Sequence, residues 1–165
     1  MKKLCLIVMT VLVGSSVLFF GGKAVNAASE PVLPSGYYLV KPQSNKNLQV
    51  NLKFQLGKLN REHEKFEFYY LPSKEAYIVN TQYGPQSIAW NGKLGAGNLE
   101  WKKQNSNDDK MLWTLEKTAD NKYVIHNKKD PTMVWSLQCP CRNIGTPVQL
   151  EKADAQFSQQ VFTIE

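Results

Sequence analysis

From residue 36 onward, apolar and polar positions alternate with a period of two over short runs, the pattern of half-buried strands. The alternation predicts strands at 36–40, 48–51, 65–70, 76–80, 87–90, 121–126 and 160–164. Turn-forming residues separate them: Ser44-Asn45-Lys46-Asn47, Tyr83-Gly84-Pro85-Gln86 and Lys128-Lys129-Asp130-Pro131. No stretch carries a sustained helical stripe, and 60–65 has room for at most one turn. The pattern predicts an all-β chain.

The pattern also repeats. The intervals Phe54 to Phe68, Leu99 to Trp113 and Val148 to Phe162 are each fourteen residues long. An apolar-x-apolar pair opens each one (Phe54/Leu56, Leu99/Trp101, Val148/Leu150). An aromatic with an apolar residue two further on closes it (Phe68/Tyr70, Trp113/Leu115, Phe162/Ile164). Upstream of each lies a tyrosine-led strand, beginning at Tyr38, Tyr77 and Tyr123. A period of about 40 residues with preserved spacing means three copies of one supersecondary unit, none able to bury its apolar face alone. The equivalent aromatics Phe68, Trp113 and Phe162 are expected in one core, with Val50, Trp90 and Trp135 as a second equivalent trio. Loop length varies around Asn91-Gly92, Gly95-Ala96-Gly97 and Asn143-Ile144-Gly145, while the fourteen-residue half stays constant. Closing three such units into a barrel removes the unpaired edges of an open sheet.

Residues 1–27 stand outside this pattern. Lys2 and Lys3 precede a nearly continuous apolar run from Leu4 to Phe20, and Val25-Asn26-Ala27 supplies small residues for cleavage. This predicts a secretory signal peptide, an exported mature chain and, after cleavage, no membrane insertion. The style of the segment suits a bacterium. Cys5 stands at the very start of the apolar run, too early for a lipid-attachment cysteine.

Composition changes the picture in two places. The chain carries a formal charge of +6, but removal of 1–27 takes three lysines and leaves seventeen basic against fourteen acidic residues, a net +3. Lys102/Lys103 and Lys128/Lys129 are isolated pairs rather than a stripe, so nucleic acid is not an expected partner. Of three cysteines, Cys139 and Cys141 survive processing, separated only by Pro140. A local bridge, two free thiols and half of a thiolate metal site all remain open, although neither His63 nor His126 is close in sequence to complete a zinc set. No cofactor or metal is expected.

The run from Trp101 through eleven residues to Trp113-Thr114-Leu115, with the tyrosine-led strands, resembles the ricin B-chain lectin family. Its Gln-x-Trp signature stands here in degraded form as Phe66-Glu67-Phe68, Met111-Leu112-Trp113 and Gln160-Val161-Phe162. The resemblance covers 36–165, after a short leader at 28–35. It implies a β-trefoil, with six strands in a barrel and six in three hairpins capping one end. It also implies sugar binding by an acid after the second strand, a stacking aromatic, and an Asn-Gln pair before the last strand.

Carried over by position, the first repeat offers Asn51, Leu56, Lys65 and Phe66. The second offers Asn91, Trp101, Lys110 and Met111, and the third Ser136, Leu150, Gln159 and Gln160. None of the three has the acid. A pyranose presents a C–H face to an aromatic and hydroxyls to paired donors and acceptors, so Trp101 with Asn91 and Lys110 forms the leading candidate site. Ser136, Gln159 and Gln160 follow. The implied function is a secreted carbohydrate-binding module for cell-surface or wall glycans, of a kind that can serve as the binding component of a toxin whose effector is a separate chain. The competing class is a trefoil-type protein-binding domain or protease inhibitor, with Gln138–Arg142 as its loop. Enzyme signatures are missing: there is no Gly-x-Ser-x-Gly, no His-Glu-x-x-His and no phosphate-cradling glycine loop. Glu62-His63-Glu64 reads as solvated charge. His126 would need Cys139 or Cys141 beside it for nucleophilic chemistry.

Overall fold

A computed structural model describes residues 30–59, 64–140 and 143–165. Residues 1–29, Glu62, His63, Cys141 and Arg142 lie outside the described residues. Thirteen strands form among the described residues. The first unit holds β1 (Gly36–Tyr38), β2 (Val40–Pro42), β3 (Leu48–Val50), β4 (Leu56–Lys58) and β5 (Phe66–Leu71). The second holds β6 (Ala76–Thr81), β7 (Gln86–Trp90), β8 (Leu99–Lys103) and β9 (Leu112–Ala119). The third holds β10 (Lys122–Asn127), β11 (Met133–Leu137), β12 (Val148–Lys152) and β13 (Phe162–Ile164).

The predicted strand at 36–40 is interrupted at Leu39, which turns both its backbone groups to Glu165, at 2.8 and 3.1 Å. β1 and β2 are therefore two halves of one strand. Antiparallel pairing runs β1–β5–β6–β9–β10–β13 and returns to β2. The order thus comes back to the strand it began with, and each unit contributes two members. The other strands make three hairpins, β3–β4, β7–β8 and β11–β12. This is the trefoil that the resemblance implied.

The core lies where the equal intervals placed it. Phe68, Trp113 and Phe162 are each 0% exposed. Trp135 reaches in from the third hairpin and meets Trp113 edge-on at 5.6 Å and Phe162 at 6.3 Å. The second expected trio needs correction. Leu56, Trp101 and Leu150 pair across their hairpins with Val50, Ile88 and Trp135. Ile88, not Trp90, is therefore the counterpart of Trp135; the loops between strands differ in length, and counting residues across them loses the register. Gln160 is also displaced from its expected strand. It ends a 3-10 turn (Ser158–Gln160), matched in the second unit by Asp109–Met111. No described helix exceeds a single turn of this kind.

The leader is not a loose tail. Leu33 is buried, and its backbone N–H and carbonyl both meet the Tyr77 hydroxyl at 2.7 Å. Burial raises the Tyr77 hydroxyl pKa above its ordinary value; the bond to Leu33 opposes that shift only in part.

Candidate functional site

Alternation along β8 puts Leu99 and Trp101 on one face and Glu100 and Lys102 on the other. Trp101 follows Leu56 and Leu150, its buried counterparts, and turns inward. Its ring stacks with Phe54 at 5.1 Å and Phe66 at 6.2 Å, and its Nε1 donates to the Leu52 carbonyl at 2.8 Å. Both residues that stack on it come from the first repeat. The ring expected to carry sugar therefore packs one repeat against the next.

Its proposed companions hold local structure. Asn91 closes the loop after β7, with Oδ1 accepting from the Lys93 N–H at 2.9 Å and Nδ2 donating to the Gly97 carbonyl at 3.1 Å. By register, Asn91 lies two positions beyond the true counterpart of Ser136, which is Ala89. Lys110 runs beside this loop; a Cβ placed on Gly92 would come within 3.1 Å of its ammonium. The Lys110 N–H is capped by Asp108 Oδ1 at 3.0 Å. Asn91 and Lys110 are thus brought together. Gln160 is 2% exposed, accepts from the Asp154 N–H at 2.8 Å and donates to the Lys152 carbonyl at 2.8 Å. Gln159 is half-buried next to it.

The third hairpin holds a feature the sequence reading missed. Ser136 pairs with Gln149, and Val134 with Glu151, so Ser136, Gln149 and Glu151 share the face opposite the core. Ser136 Oγ donates to Glu151 Oε2 at 2.8 Å, and Gln149 Nε2 donates to Glu151 Oε1 at 2.6 Å. Ser136 is fully buried and Gln149 nearly so, while Glu151 is half-exposed. Gln149 Oε1 has no hydrogen-bond partner. The acid missing from position 136 is thereby supplied from the paired strand. Alternation in Val148-Gln149-Leu150-Glu151 marks the face of both residues, but only the register brings them to Ser136.

The other hairpins differ at the same positions. The second has Ala89, Glu100 and Lys102, with Lys102 Nζ 2.7 Å from Glu100 Oε1. That contact raises the Lys102 pKa and ties the carboxylate to a cation. The first has Asn51, Gln55 and Gly57, with no carboxylate among the three. Among these equivalent positions only the third hairpin holds a carboxylate oriented by neutral donors; on the first, Gln49 Nε2 donates at 2.9 Å to Glu64 Oε2, a carboxylate from outside the hairpin.

The remaining candidates resolve as follows. Cys139 is disulfide-bonded, so it is neither a free thiol nor a thiolate ligand. His126 has Nδ1 at 2.8 Å from the Pro131 carbonyl and Nε2 at 3.1 Å from Glu116 Oε2, so neither ring nitrogen is turned to Cys139. Among the described residues no group of three or more His, Cys, Asp or Glu is placed to hold a metal. No described helix is long and apolar enough to cross a membrane.

No protein-family model and no curated protein matches the chain. Solved structures do. A mosquitocidal holotoxin is similar over 81% of this chain at 22% identity and a TM-score of 0.71, and this chain spans 17% of the toxin's length. The designed three-fold symmetric protein ThreeFoil is similar over 78% of this chain and 96% of its own, at 10% identity and a TM-score of 0.64. A ricin B-like lectin of Macrolepiota procera, solved with lactose, is similar over 82% of this chain and 99% of its own, at 15% identity and a TM-score of 0.62. These likenesses show the fold, a β-trefoil.

Proposed function

We propose that the protein is a carbohydrate-binding, lectin-like module whose working pocket is on the third repeat. One observation carries the reading: the Glu151 carboxylate, held by Ser136 and Gln149 on the outer face of β11–β12. A carboxylate oriented before binding accepts sugar hydroxyls in charge-assisted bonds, without first ordering its own side chain. Gln159, in the 3-10 turn that packs beside β11, is the further amide proposed for hydroxyls. The likeness to a ricin B-like lectin solved with lactose supports the class of ligand, and the likeness to part of a mosquitocidal holotoxin supports a role as the binding component of a toxin. Binding, not catalysis, is the activity proposed.

A glycan array with the purified chain tests this, beside a protease-inhibition panel for the competing class. Glu151→Gln keeps the shape and removes the charge; it should weaken glycan binding about tenfold, roughly 1.4 kcal/mol, with an unchanged melting temperature. Array binding that is indifferent to Glu151→Gln would place the site elsewhere. Export rests on residues 1–27, and mass spectrometry of secreted chain should find a start at or next to Ala28; retained 1–27 would argue for an anchor.

A further inference from the structure

We infer that the cleft between the second and third repeats is a second saccharide subsite, shaped for a pyranose that carries a protonated amine. It rests on the carbohydrate-binding reading above but uses none of the same residues. The cleft measures ≈ 200 Å³ and is lined by Glu116 and Thr118 of β9, Val124 and His126 of β10, and Asp154 and Phe157 of the segment after β12. That is the scale of a single ring rather than of a drug-sized ligand, whose sites run to about 300–1,000 Å³. Phe157 is 46% exposed, which leaves its face open at the mouth while Val124 forms apolar wall.

The segment that carries Asp154 and Phe157 is held before any ligand arrives. Buried Gln160 bonds to it twice, accepting from the Asp154 N–H and donating to the Lys152 carbonyl, each at 2.8 Å. The residue expected to touch sugar thus fixes the wall that does.

The polar groups choose the ligand. His126 has both nitrogens against protein acceptors, Pro131 O and Glu116 Oε2. Thr118 Oγ1 is directed to the Lys122 carbonyl and Gln160 Nε2 to that of Lys152. Every described side-chain donor lining the cleft therefore has a protein acceptor. The acceptors are not: Glu116 uses Oε2 for His126, and Asp154 uses Oδ1 for the Gln156 N–H, leaving Glu116 Oε1 and Asp154 Oδ2. Two negatively charged acceptors beside an aromatic face suit an ammonium group and adjacent hydroxyls. An N-acetyl carbonyl or a sugar carboxylate would find no unengaged side-chain donor here and would meet two carboxylates instead.

Calorimetry with the purified chain tests this, using a β-1,4-linked glucosamine tetramer and its fully N-acetylated counterpart. The amine form should bind at least about tenfold tighter. Glu116→Gln and Phe157→Ala should each weaken it about tenfold; both side chains are exposed, so melting temperature should hold. The loss caused by Glu116→Gln should be the same when Glu151→Gln is also present. Equal affinity for the two tetramers overturns the inference, as does glucosamine binding indifferent to Glu116→Gln. Neutral-glycan binding that needs Glu151, without glucosamine binding, overturns this subsite and leaves the third-repeat pocket standing. Glucosamine binding that needs Glu116, with nothing dependent on Glu151, does the reverse.

Discussion

At the scale of single residues, the four tryptophans divide by what their rings touch. Trp113 is fully buried and its Nε1 donates to the Ile88 carbonyl at 3.1 Å. Trp113→Ala leaves a cavity at the centre of the core and should cost about 3–5 kcal/mol, read by denaturant unfolding. Trp101 is only half-buried, yet it joins two repeats through Phe54, Phe66 and the Leu52 carbonyl. Trp101→Ala should cost about 2–4 kcal/mol, the truncated ring plus one hydrogen bond. An unchanged unfolding midpoint would return that ring to the surface and reopen its candidacy as a sugar platform. The inward side of Trp101 was legible from its spacing to Leu99. Its partners were not, because Phe54 and Phe66 belong to another repeat and reach it only through the tertiary arrangement.

At the scale of elements, pseudo-symmetry is kept by different chemistry at equivalent points. The backbone of Leu56 in the first hairpin is met by backbone: its N–H donates to the Thr146 carbonyl at 2.8 Å, and its carbonyl accepts from the Gly145 N–H at 2.7 Å. The equivalent Leu150 is met by a side chain. Asn98 Oδ1 accepts from the Leu150 N–H and Asn98 Nδ2 donates to the Leu150 carbonyl, both at 2.8 Å. Asn98 is 1% exposed, and its amide stands in for a strand partner between the second and third hairpins. Asn98→Ala would orphan both Leu150 groups at about 1–3 kcal/mol each, so a loss of about 2–6 kcal/mol in urea unfolding is expected. Asn98→Asp keeps the acceptor but not the donor and should recover part of that. A near-neutral Asn98→Ala would mean the hairpins do not depend on this bridge. Asn98 sits at the end of a glycine-rich loop and reads in sequence as one more turn residue.

At the scale of the whole molecule, the Tyr77 hydroxyl ties the leader to the barrel through Leu33. Its pKa is raised in the folded chain, chiefly by burial. The unfolded chain therefore ionises first, near the ordinary value of about 10, while the folded chain still holds its proton. Stability from this source is complete below that pH and is lost as pH rises through the folded value. Unfolding midpoints should fall above about pH 10, and Tyr77→Phe should flatten that fall while lowering stability at neutral pH; an equally steep decline in the variant would assign it to other groups. The three units themselves were readable from a linear pattern, because burial of one face imposes a period of two on each strand and closure imposes the same period on every copy. Fourteen-residue spacing was enough to place Phe68, Trp113 and Phe162 in one core. Where loops differ in length the pattern carries no register, so Ile88 rather than Trp90 matches Trp135, and Ala89 rather than Asn91 matches Ser136. Strand pairing alone brought Glu151 to Ser136, and tertiary packing brought the Asp154–Phe157 segment beside β9 and β10. Hydrophobic periodicity records which side of a strand is buried; it holds no record of which polar group stands across from it.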